Sequence, residues 1–139
     1  MRKFFIITFL LTLPLVLSGC VPNLGSSGSG VGADNFVKGS VVAGFPNVPL
    51  VSGAQTIETY GYQGLYGGVF ITGDSLNKVL NFYQNNLAGA GWQSTLRQGS
   101  LQSNYVFEIK NDKQQGTVIV NTAADGKKTA ITISVGPKQ

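Results

Sequence analysis

Few side chains in this chain could do covalent or acid–base chemistry. Cys20 is the sole thiol among 139 residues, and there is no histidine. Without His the commonest general base and metal ligand is missing, and one Cys can form neither an intrachain disulfide nor a Cys-based metal set. Glu58, Asp74, Glu108, Asp112 and Asp125 fall in a strand, a helix start, a strand and two turns, where local structure accounts for each. No nucleophile, base and orienting group assemble from these residues, so the sequence predicts a protein that is not an enzyme and takes neither cofactor nor metal. Gly61, Gly64, Gly67 and Gly68 carry neither a phosphate-loop Lys-Ser/Thr nor a dinucleotide-binding pattern, and they read as loop punctuation. The chemistry that remains is at Cys20, whose thiol is preceded by Leu17-Ser18-Gly19, small enough next to the sulfur for a modifying enzyme to reach the backbone.

The segment that positions Cys20 has the build of an export signal. Met1-Arg2-Lys3 is a short positive start, and residues 4–17 are apolar apart from Thr8, Thr12 and Pro14. A membrane-spanning helix needs about twenty apolar residues, more than this run supplies, and Pro14 interrupts it. The four residues Leu17-Ser18-Gly19-Cys20 resemble the lipobox of bacterial lipoproteins at every position. The resemblance implies cleavage between Gly19 and Cys20, a diacylglyceryl group on the Cys20 sulfur, and acylation, by palmitate for example, of the new amino terminus. Two or three acyl chains anchor stably where one does not, at about 0.8 kcal/mol per buried methylene. The implied location is the extracytoplasmic side of the cell envelope. Val21 and Pro22 follow without an Asp at the second mature position, which in a Gram-negative host implies the periplasmic face of the outer membrane.

Composition narrows what such an anchored protein can do. Ten basic and six acidic residues give a net charge of +4, and loss of Arg2 and Lys3 with the signal lowers it to +2. No block of like charge remains, which argues against nucleic acid as a partner. The sequence divides into a signal (residues 1–19), a lipidated Cys with a Gly/Ser-rich tether (20–47) and one globular domain (48–139). Phe36, Val37, Val41, Val42 and Phe45, within the tether, are consistent with a sticky linker or with docking on the domain.

In the domain, residues 54–60 give a weak strand signal and Val69-Phe70-Ile71-Thr72 a stronger one, with the glycines between them forming a hairpin connection or a mobile loop. Leu76, Val79, Leu80, Tyr83 and Leu87 then recur at helical spacing, with Asp74 placed to cap the helix and Gly89 and Gly91 to end it. Residues 92–97, 101–109, 117–122 and 129–135 are strand candidates; the second alternates Tyr105, Phe107 and Ile109 against Val106 and Glu108, and the last points Ile131, Ile133 and Val135 inward. The predicted fold is α+β: one α-helix packed on an antiparallel sheet of about five or six strands, in the order β-β-α-β-β-β-β.

Pro49, Gly53-Ala54, Asp74, Phe82-Tyr83, Leu87 and Gly91-Trp92 follow in an order similar to that of small bacterial envelope proteins. The resemblance spans about residues 48–135. A looser likeness is to the helix-grip domains of accessory lipoproteins in outer-membrane β-barrel assembly. Both rest on packing residues, so they imply fold and not activity. Tyr60, Tyr62 and Tyr66, with Leu65, are the candidate binding residues, since tyrosines among glycines offer apolar area with a hydroxyl handle; the alternative is that Tyr60 and Tyr66 pack under the helix. The expected function is a membrane-anchored envelope lipoprotein whose non-catalytic domain contacts an envelope protein, or alternatively one that binds a glycan or small ligand.

Overall fold

The computed structural model describes residues 35–99 and 104–139, in which seven strands and one helix follow in the order β1 (Asn35–Lys38), β2 (Gln55–Tyr62), β3 (Leu65–Thr72), α1 (Leu76–Asn86), β4 (Gln93–Gln98), β5 (Asn104–Lys110), β6 (Gln114–Thr122) and β7 (Thr129–Pro137). The strands form one antiparallel sheet in the order β1-β2-β3-β7-β6-β5-β4. This is the expected α+β arrangement with one strand more than the five or six predicted. The signal segment, the lipobox with Gly19 and Cys20, the Gly/Ser-rich residues 21–34, and Leu101 and Ser103 lie outside the described residues.

Period-two alternation builds the centre of the sheet. On β7, Ile131, Ile133 and Val135 are buried while Ser134 is exposed and Thr132 half-exposed. Register carries that face across the neighbours: Phe107 opposes Val118, Val118 opposes Ile133, and Val120 opposes Ile131. Helix α1 lies on this inner face, joining β3 near one side of the sheet to β4 at the far edge. A helix of eleven residues is marginal alone, so its stability comes from burying Val79, Leu80 and Tyr83, with Leu87 just beyond it, at roughly 2 kcal/mol for each apolar side chain removed from water.

The helix start differs from expectation by one residue. Ser75, not Asp74, is the N-cap: its hydroxyl accepts from the Lys78 backbone N–H at 3.4 Å. Asp74 is held to the sheet instead, its N–H donating to Thr72 Oγ1 at 3.2 Å and its carbonyl accepting from Thr129 Oγ1 at 2.7 Å. Its carboxylate is left free to pair with Lys78 Nζ at 2.7 Å. Past the helix, Gly91 takes the left-handed conformation (φ 88°), and Trp92 turns back into the core, donating its indole N–H to the Asn47 carbonyl at 2.8 Å.

The additional strand is β1, contributed by the part of the tether that sequence alone left between linker and docked segment. It pairs antiparallel with β2, and the chain then folds over the inner side, where Val42 and Val48 are buried. Thr59 clamps this passage: its hydroxyl accepts from Val42 N and donates to the Ser40 carbonyl, both at 2.9 Å. Phe45 meets Tyr66 and Phe70 edge-on, each at 6.2 Å between ring centres.

Three of the glycines read as loop punctuation stand inside strands, Gly61 in β2 and Gly67 and Gly68 in β3. The connection itself is only Gln63-Gly64, both with positive φ (46° and 81°), a pair of values that matches the twist of the flanking strands. Gly67 is required in the strand because the Tyr60 ring, on the paired strand, occupies the space any side chain there would need.

Candidate interaction surface

The sheet has two unlike faces. Helix α1 and residues 42–54 fill the inner one, where Phe70, Val79, Tyr83, Leu87, Phe107, Ile109, Val118, Val120, Ile131 and Ile133 are each no more than 2% exposed. Among the described residues no element covers the other face. It carries the rows Phe36–Tyr60–Gly67–Ser134–Thr117–Glu108–Thr95 and Lys38–Glu58–Val69–Thr132–Ile119–Val106–Arg97, read strand by strand across the register.

The three candidate tyrosines divide between these faces. Tyr60 and Tyr62 lie two residues apart on β2, both pointing outward and nearly half exposed, and Leu65, the register partner of Tyr62, is 50% exposed. Tyr66 belongs to the inner side, packed by Phe45 and against the backbone of Gly61 and Gly44. The docked segment, rather than the helix, is therefore what shields Tyr66. Phe36, not singled out as a binding residue by sequence reasoning, joins the exposed group as the register partner of Tyr60 and is 55% exposed. The signal for it was weak, since Asn35-Phe36-Val37-Lys38 is too short to show alternation and only its pairing with β2 tells which way Phe36 points.

The titratable side chains occupy separate places. Arg97 and Glu108 pair across β4 and β5 at 2.9 Å, both solvent-exposed, a contact of at most about 1 kcal/mol. Asp125 Oδ1 accepts from the backbone N–H groups of Lys127 and Lys128, each at 2.9 Å; these bonds hold its carboxyl below the usual carboxylate range and shape the β6–β7 turn. The Ser75, Thr59, Thr72 and Thr129 hydroxyls bond to backbone groups. Among the described residues no three of His, Cys, Asp and Glu cluster closely enough to hold a metal ion. Tyr83 is the exception to satisfied burial: its hydroxyl is enclosed between helix and sheet with no hydrogen-bond partner, and desolvation pushes its pKa upward.

One hollow lies on the outer face and another at the edge of the sheet. An open depression of about 560 Å3 spans β4 to β6 and is lined by Gln93, Thr95, Glu108, Lys110, Gln115 and Thr117 among others. A crevice of about 230 Å3 sits between the docked segment and the β2–β3 turn, against Tyr62 and Tyr66. A sugar site usually combines polar groups with an aromatic platform, and here the exposed aromatics stand at the opposite side of the sheet from the polar depression.

A family model described as START domain-like matches residues 67–137, which is 71 of the 139 residues. The matched stretch runs from inside β3 through α1 to the end of β7 and so contains the helix and the central strands. No curated protein and no solved structure matches the chain.

Proposed function

The chain belongs to the START domain-like family, and from that premise we propose that it is a lipid-anchored envelope lipoprotein whose domain makes non-catalytic contacts through the uncovered face of its sheet. The observation that carries this reading is the contrast in occupancy between the faces. Between helix and sheet the space is taken by the chain's own side chains, whereas Phe36, Tyr60, Tyr62 and Leu65 remain exposed on the outer side. The anchor rests on the lipobox resemblance of Leu17-Ser18-Gly19-Cys20 and on the apolar run before it.

The test addresses the anchor directly. Cys20→Ala is expected to move the protein from the membrane to the soluble fraction and to abolish incorporation of labelled acyl chains. Membrane retention with acyl labelling intact would overturn the assignment of Cys20.

A further inference from the structure

We infer that Phe36, Tyr60, Tyr62 and Leu65 form a second membrane contact, seating one outer corner of the domain in the headgroup region of the bilayer. The inference rests on the lipid-anchor reading of Cys20 and adds to it a defined orientation of the domain.

Geometry supplies the patch. Phe36 opposes Tyr60 and Tyr62 opposes Leu65 in the register, and all four project from the same face at the β1–β3 side of the sheet. Tyr60 lies over Gly67 and Leu65 reaches the backbone of Gly136, so the side chains spread along the sheet and present a broad apolar surface. Tyrosines favour the membrane–water interface because the ring prefers the apolar side and the hydroxyl the wet side. The β2–β3 turn beside the patch, Gln63-Gly64, carries no charge, and Lys138 follows Pro137, which packs against that turn, while Lys38 at the end of β1 is opposed by Glu58 in the register. A cation such as Lys138 at the rim suits an anionic bilayer surface.

Position in the chain supplies the occupant. Asn35 begins β1 immediately before Phe36, so the path back to Cys20 leaves the domain at the patch. Only fourteen residues separate Cys20 from Asn35. Whatever its path, a chain of that length reaches at most roughly 50 Å, and it joins the anchor to this corner before any other part of the domain. Tethering at that range gives the patch an effective concentration at the bilayer on the order of millimolar, enough for a surface too weak to bind membranes unaided. Elsewhere on the outer face the apolar side chains Val69, Val106 and Ile119 are only partly exposed and stand among Thr95, Arg97, Glu108, Thr117, Thr132 and Ser134, so the domain stands on the corner where the most exposed apolar side chains of this face gather.

The acylated full-length protein, in vesicles of phosphatidylethanolamine with a minor fraction of phosphatidylglycerol, tests this with brominated lipids as quenchers. The native reporter Trp92 is 3% exposed, which shields it from the quencher, so it provides the background. A Tyr62→Trp chain is expected to be quenched about threefold more than a Thr95→Trp chain, as an interfacial residue should be relative to one in water. Adding Phe36→Ser and Leu65→Ser to the Tyr62→Trp chain should remove most of that difference. Equal quenching at the two positions, or none at Tyr62→Trp in vesicle-bound protein, would overturn the contact; an unquenched reporter that crosslinks to an envelope protein would assign the patch to that protein instead. Failure of the anchor reading is distinct: the parent chain would carry no acyl group, and it would be recovered away from the vesicles.

Discussion

The two faces of the sheet are built by the same strands, yet one is finished by the chain itself and the other is not. On β5 the side chains alternate between Phe107 and Ile109, each at most 2% exposed, and Val106 and Glu108, which stay partly or fully in water. On β2 the same alternation puts the clamping hydroxyl of Thr59 inside and the ring of Tyr60 outside. Burial on one face accounts for stability, and what is left apolar on the other has no intramolecular use. The difference teaches where to look for function in a domain without catalytic chemistry: at apolar side chains that folding leaves exposed and that register groups together.

The contrast is broken most directly by truncating one residue on each face. Phe107→Ala removes a ring enclosed by Tyr83 and the central strands and should cost about 3–5 kcal/mol, as the lost transfer energy and the cavity add. Ile119→Ala, half-buried on the outer face of β6, should cost about 1 kcal/mol, since little closes around it. Urea unfolding of both, with unchanged slopes, measures the gap. A cost for Ile119→Ala as large as that for Phe107→Ala would mean that the outer face is a second core.

A smaller effect is expected where the faces meet. Thr59→Val keeps the volume but removes the acceptor for Val42 N and the donor to the Ser40 carbonyl, leaving a buried N–H unpaired. The expected loss is about 1–3 kcal/mol. Amide exchange should show it as local opening of residues 35–47, which would also free Phe36 from its place beside Tyr60. Uniform acceleration of exchange across the sheet, with no excess in that segment, would show that Thr59 stabilises the whole domain rather than the docked strand.

How far sequence could go is itself explained by these faces. The inward residues of α1 and β7 were legible, because burial on one side imposes the periods that Val79, Leu80 and Tyr83 and Ile131, Ile133 and Val135 display. Strand β1 was not, because four residues carry too little pattern and what fixes them is backbone pairing with Glu58 to Gly61 of β2, some twenty positions later. The strand signal of residues 54–60 was weak for another reason: a bulge between Thr56 and Glu58 inserts Ile57 and shifts the alternation, so Thr56, opposite Phe70, faces inward along with Thr59. Gly67 misled because glycine is read as a break, whereas here it answers to a ring on the neighbouring strand. Of the candidate residues, Tyr60 and Tyr62 were identifiable as aromatic, but only the register separates them from Tyr66 and adds Phe36.

The smallest predicted change is the sharpest probe of how dry the inner face is. Tyr83 places a hydroxyl with no partner in a surrounding of apolar side chains, a group whose desolvation is uncompensated. Tyr83→Phe deletes that group and keeps the ring contacts with Phe82 and Phe107, so it should raise stability at neutral pH by about 1 kcal/mol. Tyr60→Phe and Tyr62→Phe on the outer face should stay within about 0.5 kcal/mol, because water already serves their hydroxyls. The pH dependence separates the cases further. Burial raises the Tyr83 pKa above its ordinary value of 10.0, so the neutral phenol is favoured in the folded state. Its contribution is complete below the unfolded value and is lost as pH rises beyond it, by about 1.4 kcal/mol for each pH unit until the folded group itself ionises. Tyr83→Phe should therefore flatten the alkaline limb of a stability profile measured from pH 7 to 11. A variant that is less stable than the parent at neutral pH, with the alkaline limb unchanged, would show that the hydroxyl is hydrogen-bonded in solution and that the inner face admits water.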